Sequence, residues 1–208
     1  NWWASIAGPA AGTFVGTAEY APWCGDAECS FLVYPMLSTG LQASIDATPA
    51  GGTLYVPDIY SDATPDYTDG GADGYNVAGK TIILGDGVII QNSSPRFTIT
   101  GSYTTITTES IGGATCVPTY TQGEAYGSSG IDVNGGLSNI VIEGIYFDTD
   151  QVLEALGVIS FNGAVSDVLV NDNYFHVSSS TVYDGIIFAQ QPAGLVEIKG
   201  NLFEMPNM

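Results

Sequence analysis

The chain has 208 residues, and its 22 Asp and Glu against 3 Lys and Arg give a net charge of -19 at pH 7. Such a charge repels nucleic acids and anionic membrane surfaces, so neither class of partner is expected. Because 45% of the residues are hydrophobic and only 12% are charged, the chain is expected to fold rather than to stay disordered. No run approaches the roughly 18 apolar residues of a membrane span, which predicts no membrane insertion.

The first 36 residues form an N-terminal arm that precedes the repetitive part of the chain. The arm begins with large apolar residues among Ala, Gly and Pro: Trp2, Trp3, Ile6 and Phe14. Because exposed tryptophans cost free energy in water, this cluster is expected to pack either on its own chain or on a neighbouring subunit. These four residues, together with Phe203, are therefore our candidates for subunit contacts.

Cys24 and Cys29 enclose the acidic turn 25–28 within the arm. A loop this short can close as a disulfide in an oxidising compartment. The surface must be largely neutral and polar, as is common in secreted β-proteins, and Asn1 in place of Met fits a removed leader as well as an arbitrary start. We therefore expect an extracellular protein. Cys116 is either a buried thiol, which we favour, or a link to another chain.

Residues 37–208 are predicted to form one domain that opens with a short helix. Apolar residues recur there at every fourth position: Leu37, Leu41 and Ile45. Ser38 or Thr39 can cap the N-terminus of this helix, and Pro49 with the glycines that follow ends it. We expect the helix to close the first coil of the domain and to shield its unpaired strand edge.

An acidic loop from residue 58 to residue 76 interrupts the first coil. Four of its aspartates are candidate calcium ligands: Asp62, Asp66, Asp69 and Asp73. Calcium takes oxygen ligands from flexible turns, but the spacing does not match an EF-hand, and a solvated loop without metal is the alternative. The sequence requires no cofactor, and calcium is the one candidate.

A 28-residue repeat dominates the second half of the chain. The segments 138–147, 166–175 and 194–203 align at this spacing. In each segment apolar residues alternate with others over a few positions before Gly, Asn or Asp permits a bend, which indicates short strands. Short strands at a fixed period predict an all-β solenoid, a right-handed parallel β-helix of about six coils.

Equivalent residues of successive coils are expected to stack. Phe147, Phe175 and Phe203 follow one another at steps of 28, as do Asn173 and Asn201. In a coil that advances by one strand spacing per turn, such residues form ladders along the axis. We expect these ladders to be core packing, with the buried amides paired.

Two segments carry a resemblance to a known superfamily. In 41–57 a helix leads through Pro49 and paired glycines into a strand, which resembles the entry of pectin-lyase-like right-handed β-helix proteins. The motif NIVIEGIYF at 139–147 is similar to the coil repeat of that superfamily, and the resemblance covers about 41–203. It implies the fold but not the function, because the superfamily includes polysaccharide lyases, hydrolases, phage tailspikes, adhesins and structural surface proteins.

Asp148, His176 and Glu204 are the candidate catalytic residues. In register they form an outward column on successive coils, with the two carboxylates about 9.6 Å apart by two strand spacings. This separation suits an inverting glycoside hydrolase. A structural role is nevertheless preferred, because 22 acidic residues on a compact rod produce such pairs by chance.

The lyases of the superfamily combine calcium-binding carboxylates with an Arg or Lys near the sugar acid. The chain has only three basic side chains for such a role: Lys80, Arg96 and Lys199. None of them lies beside an acidic cluster in the sequence. If the protein is an enzyme, a polysaccharide hydrolase is therefore favoured over a lyase.

The segment after the repeat bears on function. Only residues 204–208 follow Phe203, too few for a cap, and an uncapped solenoid must cover its apolar core and strand edges with a partner. If these are the natural termini, we expect copies to stack head to tail as subunits of a secreted filament or surface layer. The alternative is a carbohydrate-directed β-helix, either a tailspike-like glycoside hydrolase or a glycan-binding adhesin, with a polysaccharide as its partner.

Overall fold

The computed structural model describes residues 22–24, 29–30, 32–37, 40–60, 66–68, 74–92, 97–118, 130–149, 157–177, 187–189 and 194–205. In chain order the elements are β1 (Trp23–Cys24), β2 (Leu32–Tyr34), α1 (Leu41–Ala47), β3 (Thr53–Val56), β4 (Tyr75–Ala78), β5 (Thr81–Leu84), β6 (Ile89–Asn92), β7 (Phe97–Gly101), β8 (Thr104–Thr108), β9 (Thr115–Pro118), β10 (Ile131–Asn134), β11 (Leu137–Glu143), β12 (Tyr146–Thr149), β13 (Ile159–Asn162), β14 (Val165–Asn171), β15 (Tyr174–Val177), β16 (Ile187–Ala189), β17 (Val196–Lys199) and β18 (Leu202–Glu204).

The strands stack into a parallel β-helix with three sheets. Sheet 1 has the order β1-β2-β3-β5-β8-β11-β14-β17, sheet 2 has β4-β7-β10-β13-β16, and sheet 3 has β6-β9-β12-β15-β18. Apart from the antiparallel pair β1–β2, the pairs between described strands are parallel. Each rung runs from sheet 2 through sheet 1 to sheet 3. The predicted all-β solenoid is therefore confirmed.

The described strands form five rungs rather than six, which makes four steps from the first rung to the last. The first rung is β4–β5–β6 and the fifth rung is β16–β17–β18. Beyond the first rung β3 extends sheet 1, and among the described residues of the acidic loop Tyr67 forms an isolated parallel bridge with Ile90. The prediction of about six coils is one too high, because β3 has no partner strands in sheets 2 and 3 among the described residues.

Strand pairing confirms the 28-residue register in the last three rungs. Phe147 pairs with Phe175, and Phe175 with Phe203, in sheet 3. Their rings stack along the axis, with centroids 5.0 and 4.9 Å apart and 6° between successive planes. Inward-facing residues of all three sheets form one continuous core. Cys116 lies in it as a buried thiol, the alternative favoured from the sequence.

The helix α1 packs over the first rung, as predicted. Leu41 and Ile45 are fully buried in the core cluster. Its contacts are with β3 and β4. The helix therefore closes the core at this end of the solenoid.

The start of α1 differs from the prediction. Gly40 is the N-cap residue in place of Ser38 or Thr39, which lie outside the described residues, and Leu37 precedes the helix. The Ser44 hydroxyl donates to the Gly40 carbonyl at 2.7 Å and accepts from the Leu37 backbone N–H at 2.8 Å. These two hydrogen bonds tie residue 37 to the first turn of the helix, whereas the N-cap residue Gly40 makes no side-chain capping bond.

Part of the N-terminal arm belongs to sheet 1. The strand β2 pairs in parallel with β3 and antiparallel with β1. Cys24 and Cys29 form the predicted disulfide, with their Cα atoms 4.6 Å apart. The arm residues proposed for subunit contacts lie outside the described residues: Trp2, Trp3, Ile6 and Phe14.

Candidate functional site

At the first rung, α1 covers the edge of sheet 2. The Gln42 side chain behaves like a neighbouring strand, because its Oε1 accepts from the Asn76 backbone N–H at 2.8 Å and its Nε2 donates to the Asn76 carbonyl at 3.3 Å. The Lys80 ammonium donates to the carbonyl of Ile45 near the end of the helix. Backbone groups that an edge strand would offer to another chain are thus engaged within this one.

Residues 66–68 of the acidic loop lie at the edge of sheet 3 at the same end. The buried carboxylate of Asp66 accepts hydrogen bonds from the backbone N–H groups of Ile59, Tyr60 and Ile89, at 2.7, 3.0 and 2.7 Å. The residue after Asp66 adds the isolated bridge to β6. Sheet 1 is extended here by β2 and β1, so described residues lie over all three sheets at the first rung.

Of the predicted calcium ligands, Asp66 therefore binds backbone N–H groups. Asp62, Asp69 and Asp73 lie outside the described residues. Within the described ranges, no three His, Cys, Asp or Glu side chains are grouped so that they could hold a metal ion. The calcium site stays a prediction.

The fifth rung leaves inward-facing side chains exposed. Ile198 is 49% exposed and Phe203 is 41% exposed, whereas Val170 and Phe175, which pair with them one rung earlier, are fully buried. We call the surface of this rung the end face. It comprises Leu195, Val196, Ile198, Leu202, Phe203 and Met205.

An ion pair lies at the rim of the end face, on the outward side of β17. Lys199 Nζ is 3.2 Å from Glu197 Oε1, and both side chains are about half exposed. The residues in register with them on β14 are Leu169 and Asn171, which carry no charge. An exposed pair of this kind adds little to the stability of the fold. It does place one positive and one negative charge on β17, the last strand of sheet 1 among the described strands.

Asp148, His176 and Glu204 form a column on the outer side of sheet 3, as predicted. They stand in register on β12, β15 and β18. His176 Nδ1 is 2.8 Å from Asp148 Oδ1, and both side chains are partly exposed. Two strand spacings separate Asp148 from Glu204, about 9.6 Å. The arrangement places an oriented imidazole between two carboxylates, which is a geometry for acid–base chemistry.

Two stacked tyrosines lie beside these residues. The rings of Tyr146 and Tyr174 have centroids 4.8 Å apart and planes 17° from parallel. The Tyr174 hydroxyl donates to Glu204, and this hydrogen bond, ahead of desolvation, raises the pKa of Tyr174 to about 12. Desolvation, followed by the charge of Asp148, raises the pKa of Tyr146. We call the five residues the sheet 3 column: Tyr146, Asp148, Tyr174, His176 and Glu204.

The sequence interpretation found the acids and the histidine of this column but missed the tyrosines. Tyr146 precedes Asp148 by two residues, and Tyr174 likewise precedes His176. Because strand residues two apart share a face, the same alternation that predicted the strands could have placed the tyrosines beside the column. Glu197 and Lys199 are also two apart, and the same signal could have paired them.

Comparison of the chain with family models, with curated proteins and with solved structures finds no match. The helix of the described residues lacks the length and the apolar character to cross a lipid bilayer. The geometry of the end face and of the sheet 3 column is therefore the basis for assigning a role.

Proposed function

We propose that this protein is a structural subunit that assembles end to end through its end face, as part of a filament or a surface layer. The observation that carries the proposal is the exposure of Ile198 and Phe203 at positions that are fully buried one rung earlier. Exposed apolar side chains and open strand edges are unfavourable in water, and a solenoid relieves both when a partner continues its stack.

An extracellular setting is part of the same proposal. The disulfide between Cys24 and Cys29 is of a kind that persists in oxidising compartments and is rare in the cytosol. The net charge of -19 repels copies from one another in general, so that assembly depends on a specific contact. We therefore propose that the protein is secreted.

We further propose kinship with the pectin-lyase-like superfamily. The support is the order of elements at the entry, where α1 leads through a turn into β3. Gly51 takes a φ of 74° in this turn, and the Gly52 N–H donates to the Pro49 carbonyl at 2.9 Å. The proline and the paired glycines that carry the resemblance thus form the turn itself.

Matched substitutions on and off the end face test the assembly. Ile198→Asp places a charge on the end face, whereas Ile111→Asp places the same charge at an exposed position after β8. We expect the wild-type protein to show concentration-dependent association in sedimentation velocity and elongated particles in negative-stain micrographs. Ile198→Asp should lose the association that the end face mediates and should give no elongated particles, whereas Ile111→Asp should associate as the wild-type protein does.

Circular dichroism of each variant separates a lost contact from a lost fold. Phe203→Asp provides a second disruption of the end face, on a different strand from Ile198. A wild-type chain that stays monomeric at high concentration would overturn the proposal. So would end-face variants that are folded and associate normally.

A second candidate function, a carbohydrate-directed one, rests on the sheet 3 column. Tyr146 and Tyr174 offer aromatic surface of the kind that packs against sugar rings. Asp148 and Glu204, about 9.6 Å apart by strand spacing, lie close to the separation of an inverting pair of carboxylates. The proposal is a tailspike-like glycoside hydrolase or a glycan-binding adhesin.

Binding and hydrolysis are tested with the same variants. If the protein binds glycans, Asp148→Asn and Glu204→Gln should abolish its binding to a glycan array, because each removes one carboxylate of the column. If it is a hydrolase, the same variants should no longer lower the viscosity of a polysaccharide solution. Asp46→Asn, which changes an exposed aspartate on α1, is the matched control and should behave as wild type. No binding and no hydrolysis by the wild-type chain would exclude this second function.

A further inference from the structure

End-to-end assembly brings the end face against some surface of a second copy. Head-to-tail stacking, expected from the sequence, would bring the end face against the first rung of the second copy. There, however, Gln42 already bonds the backbone of Asn76, Asp66 already bonds that of Ile89, and β1 and β2 extend sheet 1. In the described part of the molecule, the end face is thus the end of the solenoid that lacks such a cover.

We propose that the end face binds the end face of a second copy about a two-fold axis perpendicular to the solenoid axis. This inference rests on the proposed end-to-end assembly and fixes its orientation. When this axis is also perpendicular to β17, the rotation reverses the direction of β17. β17 therefore meets β17 of the second copy in an antiparallel pair, which forms the backbone hydrogen bonds of an ordinary antiparallel ladder.

The charges on β17 support this orientation because they are self-complementary. When the two-fold axis passes through Ile198, antiparallel pairing sets Glu197 opposite Lys199 of the second copy, and Lys199 opposite Glu197 of the second copy. Opposite charges directly across an antiparallel pair are stabilising. Lys199 is one of only 3 Lys and Arg in the chain, against 22 Asp and Glu, and it stands two residues from a carboxylate on the last described strand of sheet 1.

The apolar part of the end face fits the same axis. Each rung runs from sheet 2 through sheet 1 to sheet 3, so a two-fold axis through the middle of sheet 1 places β18 over β16 of the second copy. The exposed ring of Phe203 on β18 then meets another strand rather than water. An isologous contact of this kind closes at two copies. The dimer is thus the building block, and larger assemblies need a second contact elsewhere on the molecule.

Charge reversal on β17 tests the two-fold orientation of the two copies. A misfolded variant would not recover dimerisation when it is mixed with a second variant, so the test distinguishes a lost contact from a lost fold. In Glu197→Lys each cross-strand pair becomes Lys opposite Lys, and in Lys199→Glu it becomes Glu opposite Glu. Two such pairs form per dimer, so we expect each variant alone to dimerise about tenfold or more weakly in sedimentation equilibrium. An equimolar mixture of the two variants should restore dimerisation, because both cross-strand pairs are then opposite in charge.

The double variant Glu197→Lys/Lys199→Glu is the matched control. It keeps the net charge of the wild-type chain and restores opposite charges across the two-fold axis, so it should dimerise as the wild type does. If the wild type associates but the mixture and the double variant do not recover, the two-fold orientation is wrong while end-to-end assembly stands. If the wild type does not associate, both proposals fail.

Discussion

The side-chain amide of Asn173 donates from Nδ2 to Oδ1 of Asn201, 3.0 Å away on the next rung. The same Oδ1 accepts from the Asn173 backbone N–H at 2.9 Å. One rung earlier the pattern recurs, because Asn173 Oδ1 accepts from the Ile145 N–H at 3.0 Å and its Nδ2 donates to the Ile142 carbonyl at 3.0 Å. Each asparagine therefore ties the bend that contains it to the bend of the preceding rung.

Replacing Asn173 should destabilise the protein more than replacing Asn201. Asn173 is 1% exposed, so Asn173→Ala leaves the Ile145 N–H and the Ile142 carbonyl without water or amide partners, at a cost of about 2–4 kcal/mol. Asn201→Ala removes the equivalent side-chain amide at a partly exposed position, and it should lower the free energy of unfolding by about 1 kcal/mol. Urea denaturation of both variants measures the difference, and equal losses would contradict the ladder.

The stack of phenylalanines leads to a similar prediction about the core. Phe175 lies between Phe147 and Phe203, and Phe175→Ala should lower the free energy of unfolding by about 3–5 kcal/mol because it leaves a cavity inside the stack. Phe203→Ala should cost less in dilute protein, since that ring is already partly in water.

Protein concentration provides the control for this comparison. If a second copy buries Phe203, the cost of Phe203→Ala should grow with protein concentration, because association stabilises the wild type by mass action. The cost of Phe175→Ala should grow much less, since its ring is buried in the monomer. Costs that are equal in dilute solution would show that the fifth rung is not open.

The later rungs could be predicted from the sequence and the earlier ones only in part, and strand pairing shows why. Ile140 pairs with Val168, a step of 28, whereas Thr81 pairs with Thr105 and Thr104 with Ile140, steps of 24 and 36. Stacking constrains the strands but not the number of residues in the segments that connect them. A period is therefore visible only where the bends happen to match in length.

The candidate surfaces were predictable to the same extent. The register of Asp148, His176 and Glu204 follows from the repeat, but the hydrogen bond from Tyr174 to Glu204 depends on side-chain torsions that no period specifies. Gln42 and Asp66 cover the first rung through contacts that do not recur in the other described rungs and therefore leave no sequence pattern.

Tyr174 should ionise at a higher pH than an ordinary tyrosine. The free energy of unfolding should therefore depend on pH in the alkaline range. The pKa of Tyr174 is about 12 in the folded protein, chiefly because of the hydrogen bond to Glu204, against about 10 for an unfolded tyrosine. Between these values the unfolded chain loses the proton and the folded chain keeps it. The stabilising contribution is thus complete below pH of about 10 and is lost as the pH rises towards 12.

Carbon NMR of labelled tyrosine resolves this titration residue by residue. Glu204→Gln should move the pKa of Tyr174 down towards its ordinary value, because it removes the charge that the phenolate would face. Glu109→Gln is the matched control, since Glu109 accepts from Tyr55 at 2.8 Å and should leave Tyr174 unchanged. A Tyr174 signal that does not respond to Glu204→Gln would show that the hydrogen bond does not hold the proton.

Gly144 should tolerate a side chain less well than Gly136, although both have left-handed backbones. Their φ angles are 75° and 80°. A Cβ on Gly144 would lie 2.3 Å from Thr108 Oγ1, whereas one on Gly136 meets nothing within 4 Å. Gly136→Ala should therefore cost only the backbone strain, about 1–2 kcal/mol, and Gly144→Ala about 2–4 kcal/mol once the steric clash is added.

A second substitution separates the clash from the strain at Gly144. The single proton of the Thr108 hydroxyl is shared between the Ser110 carbonyl at 2.7 Å and the Gly144 carbonyl at 3.0 Å, so Thr108→Ala is itself destabilising. In the Gly144→Ala background it also removes the atom that the new methyl group strikes. The two substitutions should then cost less together than the sum of their separate costs, and thermal or urea unfolding of the four proteins measures this coupling. Costs that simply add would mean that the backbone at residue 144, and not contact with Thr108, requires glycine.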